Sequence, residues 1–136
     1  MSRQDIERDI VAKLGQVPGF FAAMPDYALE AAWSDFKTFQ LGDTALSARE
    51  KQLIGVAVAA AIHCPYCIYF HGSAAKMMGT SDAQVEEAVR VAADTARYSA
   101  YLHGLGADLD EFKRHTDEIG EFLSRQQEPQ GSCEAA

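Results

Sequence analysis

The stretch that decides the fold lies at residues 53–71 and reads LIGVAVAAAIHCPYCIYFH. Ten apolar or small residues open it, and the segment that closes it holds two of the three cysteines and two of the four histidines. The alanine-rich run follows a capping box, in which Ser47 is the N-cap and Glu50 stands three residues later. These features predict a helix that runs from residue 48 to about Ile62 and is buried on nearly all sides.

The second half of the stretch predicts another helix directly after the first. Pro65 suits the first helical position, which makes Cys64 the N-cap, and Gly79 supplies a left-handed stop. Because residues three or four apart are neighbours on a helix, Cys64, Cys67 and His71 share one stripe. A helix start favours a thiolate, and His71 is placed to act as a base for Cys67. The pattern therefore predicts a thiol redox centre.

The rest of the chain carries helical patterns without a convincing strand. Further helices are predicted over residues 3–14, 26–39, 82–102 and 108–124. The stripe predicted to form core or a subunit contact comprises Leu29, Ala32, Trp33, Phe36 and Phe39. The packing face predicted for the 82–102 helix comprises Val85, Ala88, Val89, Ala92, Ala96 and Ser99. We expect an all-α, single-domain helical bundle over residues 1–124, with the CxxC at the start of a central helix, and a disordered tail over 125–136.

Composition and charge argue against several classes of protein. The chain has 136 residues and a net charge of −8, without the clustered basic face that nucleic-acid binding needs. Its longest apolar run is about half of a bilayer span, and its charged N-terminus lacks the apolar region of a signal peptide. A cytoplasmic protein with no nucleic-acid or membrane partner is expected. In that compartment a CxxC is more often catalytic or metal-binding than a structural disulfide.

Two other interpretations of the cysteines stay open. Both could be small buried residues without chemistry, or they could bind zinc together with His63 and His71. A single helix start rarely wraps four ligands around one metal, so no metal and no cofactor is the preferred expectation. Covalent haem attachment is excluded because Cys67 is followed by Ile68 and not by histidine.

The segment from Glu50 to Val89 resembles the alkylhydroperoxidase D and carboxymuconolactone decarboxylase family. The likeness rests on the apolar run, on CPYCIYFHG at residues 64–72 and on VEEAV at residues 85–89. It implies an all-helical fold in homotrimers or homohexamers, and a thiol peroxidase (peroxiredoxin-like) or disulfide reductase activity in members that keep the CxxC. By this resemblance Cys67 attacks the peroxide, Cys64 resolves the intermediate, and His71 belongs to a proton relay with a glutamate.

This chain departs from the family pattern at the relay glutamate. The resemblance places that residue twelve positions before the first cysteine, where the sequence has Gln52. A glutamine can hold a hydrogen bond, but it cannot accept and return a proton. Glu50 points to a different side of the helix and is expected to serve the capping box. Helix-dipole reasoning alone would choose Cys64, nearest the helix start, as the more acidic thiol, whereas the resemblance chooses Cys67.

The leading hypothesis is thus an antioxidant oxidoreductase, with Cys67, Cys64, His71 and Gln52 as its site. Its partners would be a hydroperoxide or disulfide substrate and a thiol or dithiol electron donor. The alternatives are a non-redox carboxymuconolactone decarboxylase-like enzyme and a zinc- or ligand-binding module. His63 either tunes Cys64 or ends the first helix. His103 faces an interface, the site or solvent, and Cys133 in the tail is expected to be a spectator.

Overall fold

The computed structural model describes residues 1–127, and every regular element in that range is helical. The elements are α1 (Arg3–Leu14), α2 (Gly19–Ala22), α3 (Asp26–Asp35), a π-helix (Phe36–Gln40), α4 (Ala48–Ala61), α5 (Pro65–Met77), α6 (Asp82–Gly104) and α7 (Leu109–Gln127). The all-α prediction is therefore confirmed. Within the described residues, no helix is both long and apolar enough to cross a membrane.

Within the described residues the chain divides into two compact units, the first over Met1–Ala93 and the second beginning at Asp94. The predicted tail starts too early, because α7 continues through Arg125 to Gln127. Arg125 pairs with Glu121 one turn earlier at 3.8 Å, an interaction that supports the last turn of the helix. The rest of the predicted tail, including Cys133, lies outside the described residues.

The core of the first unit confirms part of the aromatic stripe. Leu29 and Trp33 of α3 are buried against α1 and α2, and the ring centroids of Trp33 and Phe21 lie 5.6 Å apart, edge to face. Phe39 stands apart from this cluster and is half exposed, with the Lys51 ammonium 4.6 Å from the centre of its ring. The stripe thus packs the first three helices together, and its last residue, Phe39, contacts Lys51 of α4.

The helix predicted over residues 26–39 changes character at Phe36, where a π-helix begins. Its last bond joins the Leu41 N–H to the Phe36 carbonyl at 3.2 Å. Side chains of α4 bind carbonyls at its end: Lys51 Nζ lies 2.8 Å from the Phe39 oxygen, and Gln52 Nε2 lies 2.9 Å from the Gln40 oxygen. These tertiary contacts compensate for the altered backbone pattern, and single π-turns of this kind often occur at functional sites.

The prediction that α4 is buried on nearly all sides is wrong for the single chain. Its inner face packs on α5 and buries Gln52 and Val56. The opposite face forms a stripe of Ile54, Val58 and Ile62, whose exposed fractions are 50%, 53% and 65%. An apolar sequence shows that burial is favourable, but it does not show whether the partner belongs to the same chain.

The predicted packing face of α6 is likewise not buried within the single chain, since every residue of Asp82–Gly104 is at least partly exposed. The apolar side of α7 is also exposed, with Leu109, Phe112, Ile119 and Leu123 along it. A capping box marks the start of α6, where the Gln84 N–H donates to Ser81 Oγ at 3.2 Å.

Candidate active site

The two cysteines of the CxxC lie at the first turn of α5, as the sequence predicts. Cys64 is the N-cap, and Pro65 takes the first helical position. The Cys67 N–H donates to Cys64 Sγ at 3.2 Å, so the sulfur satisfies one of the free N–H groups of the helix start. Cys64 and Cys67 form a disulfide across this turn, with their Cα atoms 5.3 Å apart.

A tight turn joins α4 to this cysteine pair. His63 adopts a left-handed backbone conformation with φ of +56°, which is uncommon for a residue other than glycine. The Cys64 N–H donates to the Ala59 carbonyl at 3.0 Å, so the cap of α5 is tied to the last turns of α4. His63 therefore ends the helix through its backbone, and the turn fixes Cys64 next to α4.

His71 lies one turn beyond Cys67 and faces α4. Its Nδ1 atom lies 2.7 Å from Oε1 of Gln52, while Nε2 of Gln52 donates to the Gln40 carbonyl at 2.9 Å. Gln52 is completely buried. A chain of hydrogen bonds thus runs from the end of the π-helix through α4 to the imidazole on α5.

Gly55 makes the close approach of His71 to α4 possible. A Cβ atom added at Gly55 would lie 2.6 Å from Cγ and from Cε1 of the His71 ring, a distance that real Cβ contacts do not show. The ring centroid of Phe70 lies 5.1 Å from that of His71, and the ring centroid of Phe36 lies 5.7 Å from that of Phe70. The imidazole is therefore held between a glycine surface and an aromatic contact.

The electrostatics of the site distinguish His71 from Glu50. Burial lowers the pKa of His71 below its ordinary value, and no carboxylate opposes this effect. Hydrogen bonds from Ser47 lower the pKa of Glu50, whose carboxylate accepts the Ser47 N–H at 2.7 Å. Glu50 is thus the capping residue that the sequence predicts, and His71 faces an amide instead of an acid.

The structure brings Cys64, Cys67, His71 and Gln52 together on two adjoining helices. His103 lies in the second unit, where its Nδ1 bonds within α6 to the Ser99 carbonyl at 2.8 Å. Two groups that shape the site carry little signal in the sequence. The Gln40 carbonyl carries no side-chain signal, because it is a backbone atom. Gly55 lies within the apolar run and has no side chain to mark it, although its spacing of three from Gln52 places both on one face.

The zinc alternative gains no support from this geometry. Within residues 1–127, no three side chains of histidine, cysteine, aspartate or glutamate are grouped so that they could hold a metal ion. The four candidate ligands instead divide between a disulfide, a backbone turn and a hydrogen bond to Gln52.

Comparisons with known proteins bear on the family and the fold of the chain. Residues 20–109 match the carboxymuconolactone decarboxylase family. The crystal structure of an alkylhydroperoxidase AhpD core from Rhodospirillum rubrum superposes with a TM-score of 0.69 at 28% identity, over 79% of this chain and 82% of that one. A Paracoccus denitrificans protein described as uncharacterized protein 4 in the cox locus is 46% identical over 61 residues, which are 45% of this chain. The match spans only 55% of that relative's length. On the family match and the shared alkylhydroperoxidase-like fold, the chain belongs to the carboxymuconolactone decarboxylase family.

Proposed function

We propose that the protein is a thiol-dependent oxidoreductase that cycles Cys64 and Cys67 between a dithiol and a disulfide. The observation that carries the proposal is the position of both sulfurs at the start of α5, close enough to bond within one helical turn. A helix start stabilises the thiolate, which is the reactive form of cysteine. The structural likeness to an alkylhydroperoxidase core supports the same chemistry.

In the peroxidase form of the cycle, the Cys67 thiolate attacks a hydroperoxide oxygen. The O–O bond breaks, the alcohol leaves with one proton, and Cys67 becomes a sulfenic acid. The Cys64 thiol then attacks that sulfur, and the disulfide forms as water leaves. A thiol or dithiol donor restores both cysteines with two electrons and two protons. His71, one turn from Cys67, takes up the thiol proton.

In the disulfide reductase form, the dithiol attacks a disulfide of the substrate. A mixed disulfide forms first, and the second cysteine displaces the substrate as two thiols. The same pair of sulfurs serves both forms, and only the oxidant differs. A reducing compartment such as the cytoplasm would keep the dithiol available between turnovers.

The exposed apolar stripes support a homo-oligomer, which we propose to be a trimer or hexamer. Ile54, Val58 and Ile62 form a continuous exposed face on α4, next to the turn that carries Cys64. A contiguous apolar face of this kind is typical of a protein–protein contact. A second copy of the chain is the partner that we propose for it.

Thiol counting after oxidation tests the redox cycle. The reduced protein holds three thiols, and one equivalent of an alkyl hydroperoxide or a small disulfide should leave one. Cys67→Ser should fail to react with peroxide, and Cys64→Ser should accumulate a sulfenic acid that a dimedone probe captures. The matched control is Cys133→Ser, which should retain the full reaction of the Cys64–Cys67 pair.

The outcomes separate the candidate functions. A reaction with disulfides alone would identify a reductase and exclude the peroxidase form. If neither oxidant forms the Cys64–Cys67 disulfide, the redox proposal fails, and a non-redox activity on a small lactone or carboxylic acid becomes the better candidate. Stoichiometric zinc in protein purified without chelators would instead favour the binding module.

A further inference from the structure

The side-chain amide of Gln52 has only one orientation that satisfies both of its ends. The side chain is completely buried, so water cannot supply a missing partner. One end lies 2.9 Å from the Gln40 backbone carbonyl, which can only accept a hydrogen bond. That end must therefore be the NH₂ group. The amide oxygen consequently points to His71, at 2.7 Å from Nδ1.

This orientation decides which nitrogen of His71 carries the proton. An amide oxygen accepts and never donates, so Nδ1 must donate and must be protonated. A neutral imidazole carries one proton on its two nitrogens, and Nε2 is then the atom with the free lone pair. The close approach of the ring to Gly55 and its contact with Phe70 restrict the ring flip that would exchange the two nitrogens.

We propose that Gln52, oriented by the Gln40 carbonyl, is a positioning residue that holds His71 as the neutral Nδ1–H tautomer with Nε2 as the proton-accepting atom. The inference deepens the proposed function, and rests on it in one respect: Nε2 matters for catalysis only if it takes the Cys67 proton. A carboxylate at position 52 would favour the imidazolium, whereas the amide favours the uncharged base.

The charged groups of the elements around His71 are engaged elsewhere. On α4, Glu50 caps the helix, Lys51 binds two backbone carbonyls, and Arg49 donates to Gln84 at 2.9 Å. On α5, Lys76 pairs with Asp82 at 2.7 Å.

The π-helix that Gln52 contacts contains one charged residue. Lys37 of the π-helix pairs with Asp9 at 2.6 Å. The titratable neighbour on α5 is Cys67, which titrates only when the disulfide is reduced. The charge state of His71 therefore depends chiefly on its burial and on the residue at position 52.

Nitrogen-15 NMR of histidine-labelled full-length protein tests the tautomer directly. In the wild type at neutral pH, Nδ1 of His71 should show the shift of a protonated nitrogen and Nε2 that of an unprotonated one. Because this spectrum needs no variant, misfolding cannot obscure it. Protonated Nε2 with unprotonated Nδ1, or a mixture of tautomers, would overturn the inference.

Two variants test the role of Gln52. Gln52→Glu should raise the His71 titration midpoint by about 1 pH unit or more, since an opposite charge at this distance favours the imidazolium. Gln52→Met should produce mixed tautomers. Exposed His115 on α7 is the internal control, and its nitrogen-15 shifts should be the same in all three proteins.

The results can also refute the role of Gln52 separately. An unchanged tautomer in folded Gln52→Met, or an unchanged His71 midpoint in Gln52→Glu, would contradict it. These readouts need no turnover, so a protein that never oxidises its cysteines would refute the proposed function and leave the tautomer assignment standing. A redox-active protein in which Nε2 of His71 is protonated would support the proposed function and refute the tautomer assignment.

Discussion

Nδ1 of His71 lies 2.7 Å from the amide oxygen of the fully buried Gln52, so the imidazole beside the CxxC is anchored to an uncharged partner. This pair connects two helices whose packing determines the site. The apolar inner face of α4 and the glycine at position 55 bring the imidazole to the amide. The helix start of α5 presents the sulfurs one turn away.

Gly55 is the position where the smallest change should disturb this pair most. Gly55→Ala places a Cβ 2.6 Å from two atoms of the His71 ring, so the ring must move and the bond to Gln52 should break. We expect a loss of about 1–3 kcal/mol in the free energy of unfolding, measured by urea titration, and slower oxidation of the thiols.

Gly72→Ala is the matched control for that change. Gly72 lies beside His71 on α5, but an added Cβ there meets nothing within 4 Å. Alanine should leave thiol oxidation unchanged and stabilise the helix by up to about 1 kcal/mol. Equal effects of the two substitutions would show that Gly55 has no special relation to His71.

We expect Glu50 to cap α4 and to take no part in catalysis. Glu50→Gln weakens the capping box with Ser47, so the melting temperature should fall. The rate of thiol oxidation at a temperature where the protein is folded should remain that of the wild type. A large loss of rate in a folded Glu50→Gln protein would assign the proton relay to Glu50.

Acidification should destabilise the protein partly through His71. Burial lowers its folded-state pKa below the ordinary value of 6.5, so as pH falls the unfolded chain takes up the proton before the folded chain does. This contribution to stability is present above the unfolded-state pKa and is lost as pH falls towards the folded-state pKa.

Urea unfolding between about pH 8 and about pH 5 measures the effect when the wild type is compared with His71→Gln. The wild type should lose more stability than the variant, so the difference in free energy of unfolding between them should change below the unfolded-state pKa. Parallel curves would mean that folding leaves the pKa of His71 unchanged.

The exposed stripe of α4 should lie between subunits. Val58→Asp puts a charge at its centre, so sedimentation velocity should detect a smaller species than the wild type. Tyr27→Asp is the control, because Tyr27 on α3 is 90% exposed and lies outside the stripe. A monomeric wild type would contradict the proposed assembly.

The sequence predicts the helices well where capping chemistry marks their ends. Ser47 with Glu50, Cys64 with Pro65, and Gly79 in the left-handed region all lie at the positions that their residue types indicate. These signals act within a few residues, so a single sequence contains them in full. The alignment of Cys64, Cys67 and His71 follows from the same local geometry.

The features that the sequence could not predict depend on tertiary contacts. The π-helix ends where the side chains of Lys51 and Gln52 donate to backbone carbonyls. Every residue has the same backbone carbonyl, so the sequence carries no signal for these contacts. The apolar character of α4 does not distinguish burial within one chain from burial between chains. The sequence places Gln52 at the relay position. The orientation of its side-chain amide depends on the Gln40 carbonyl, which only the folded structure locates.

The central claim is that Cys64 and Cys67 interconvert as a two-electron pair. The most direct measurement equilibrates the protein in glutathione buffers of graded potential, traps the thiols by alkylation, and identifies the modified peptides by mass spectrometry. We predict one two-electron transition that is absent from Cys64→Ser and Cys67→Ser and unchanged in Cys133→Ser. Free thiols at both cysteines in the most oxidising buffer would contradict the proposed redox pair.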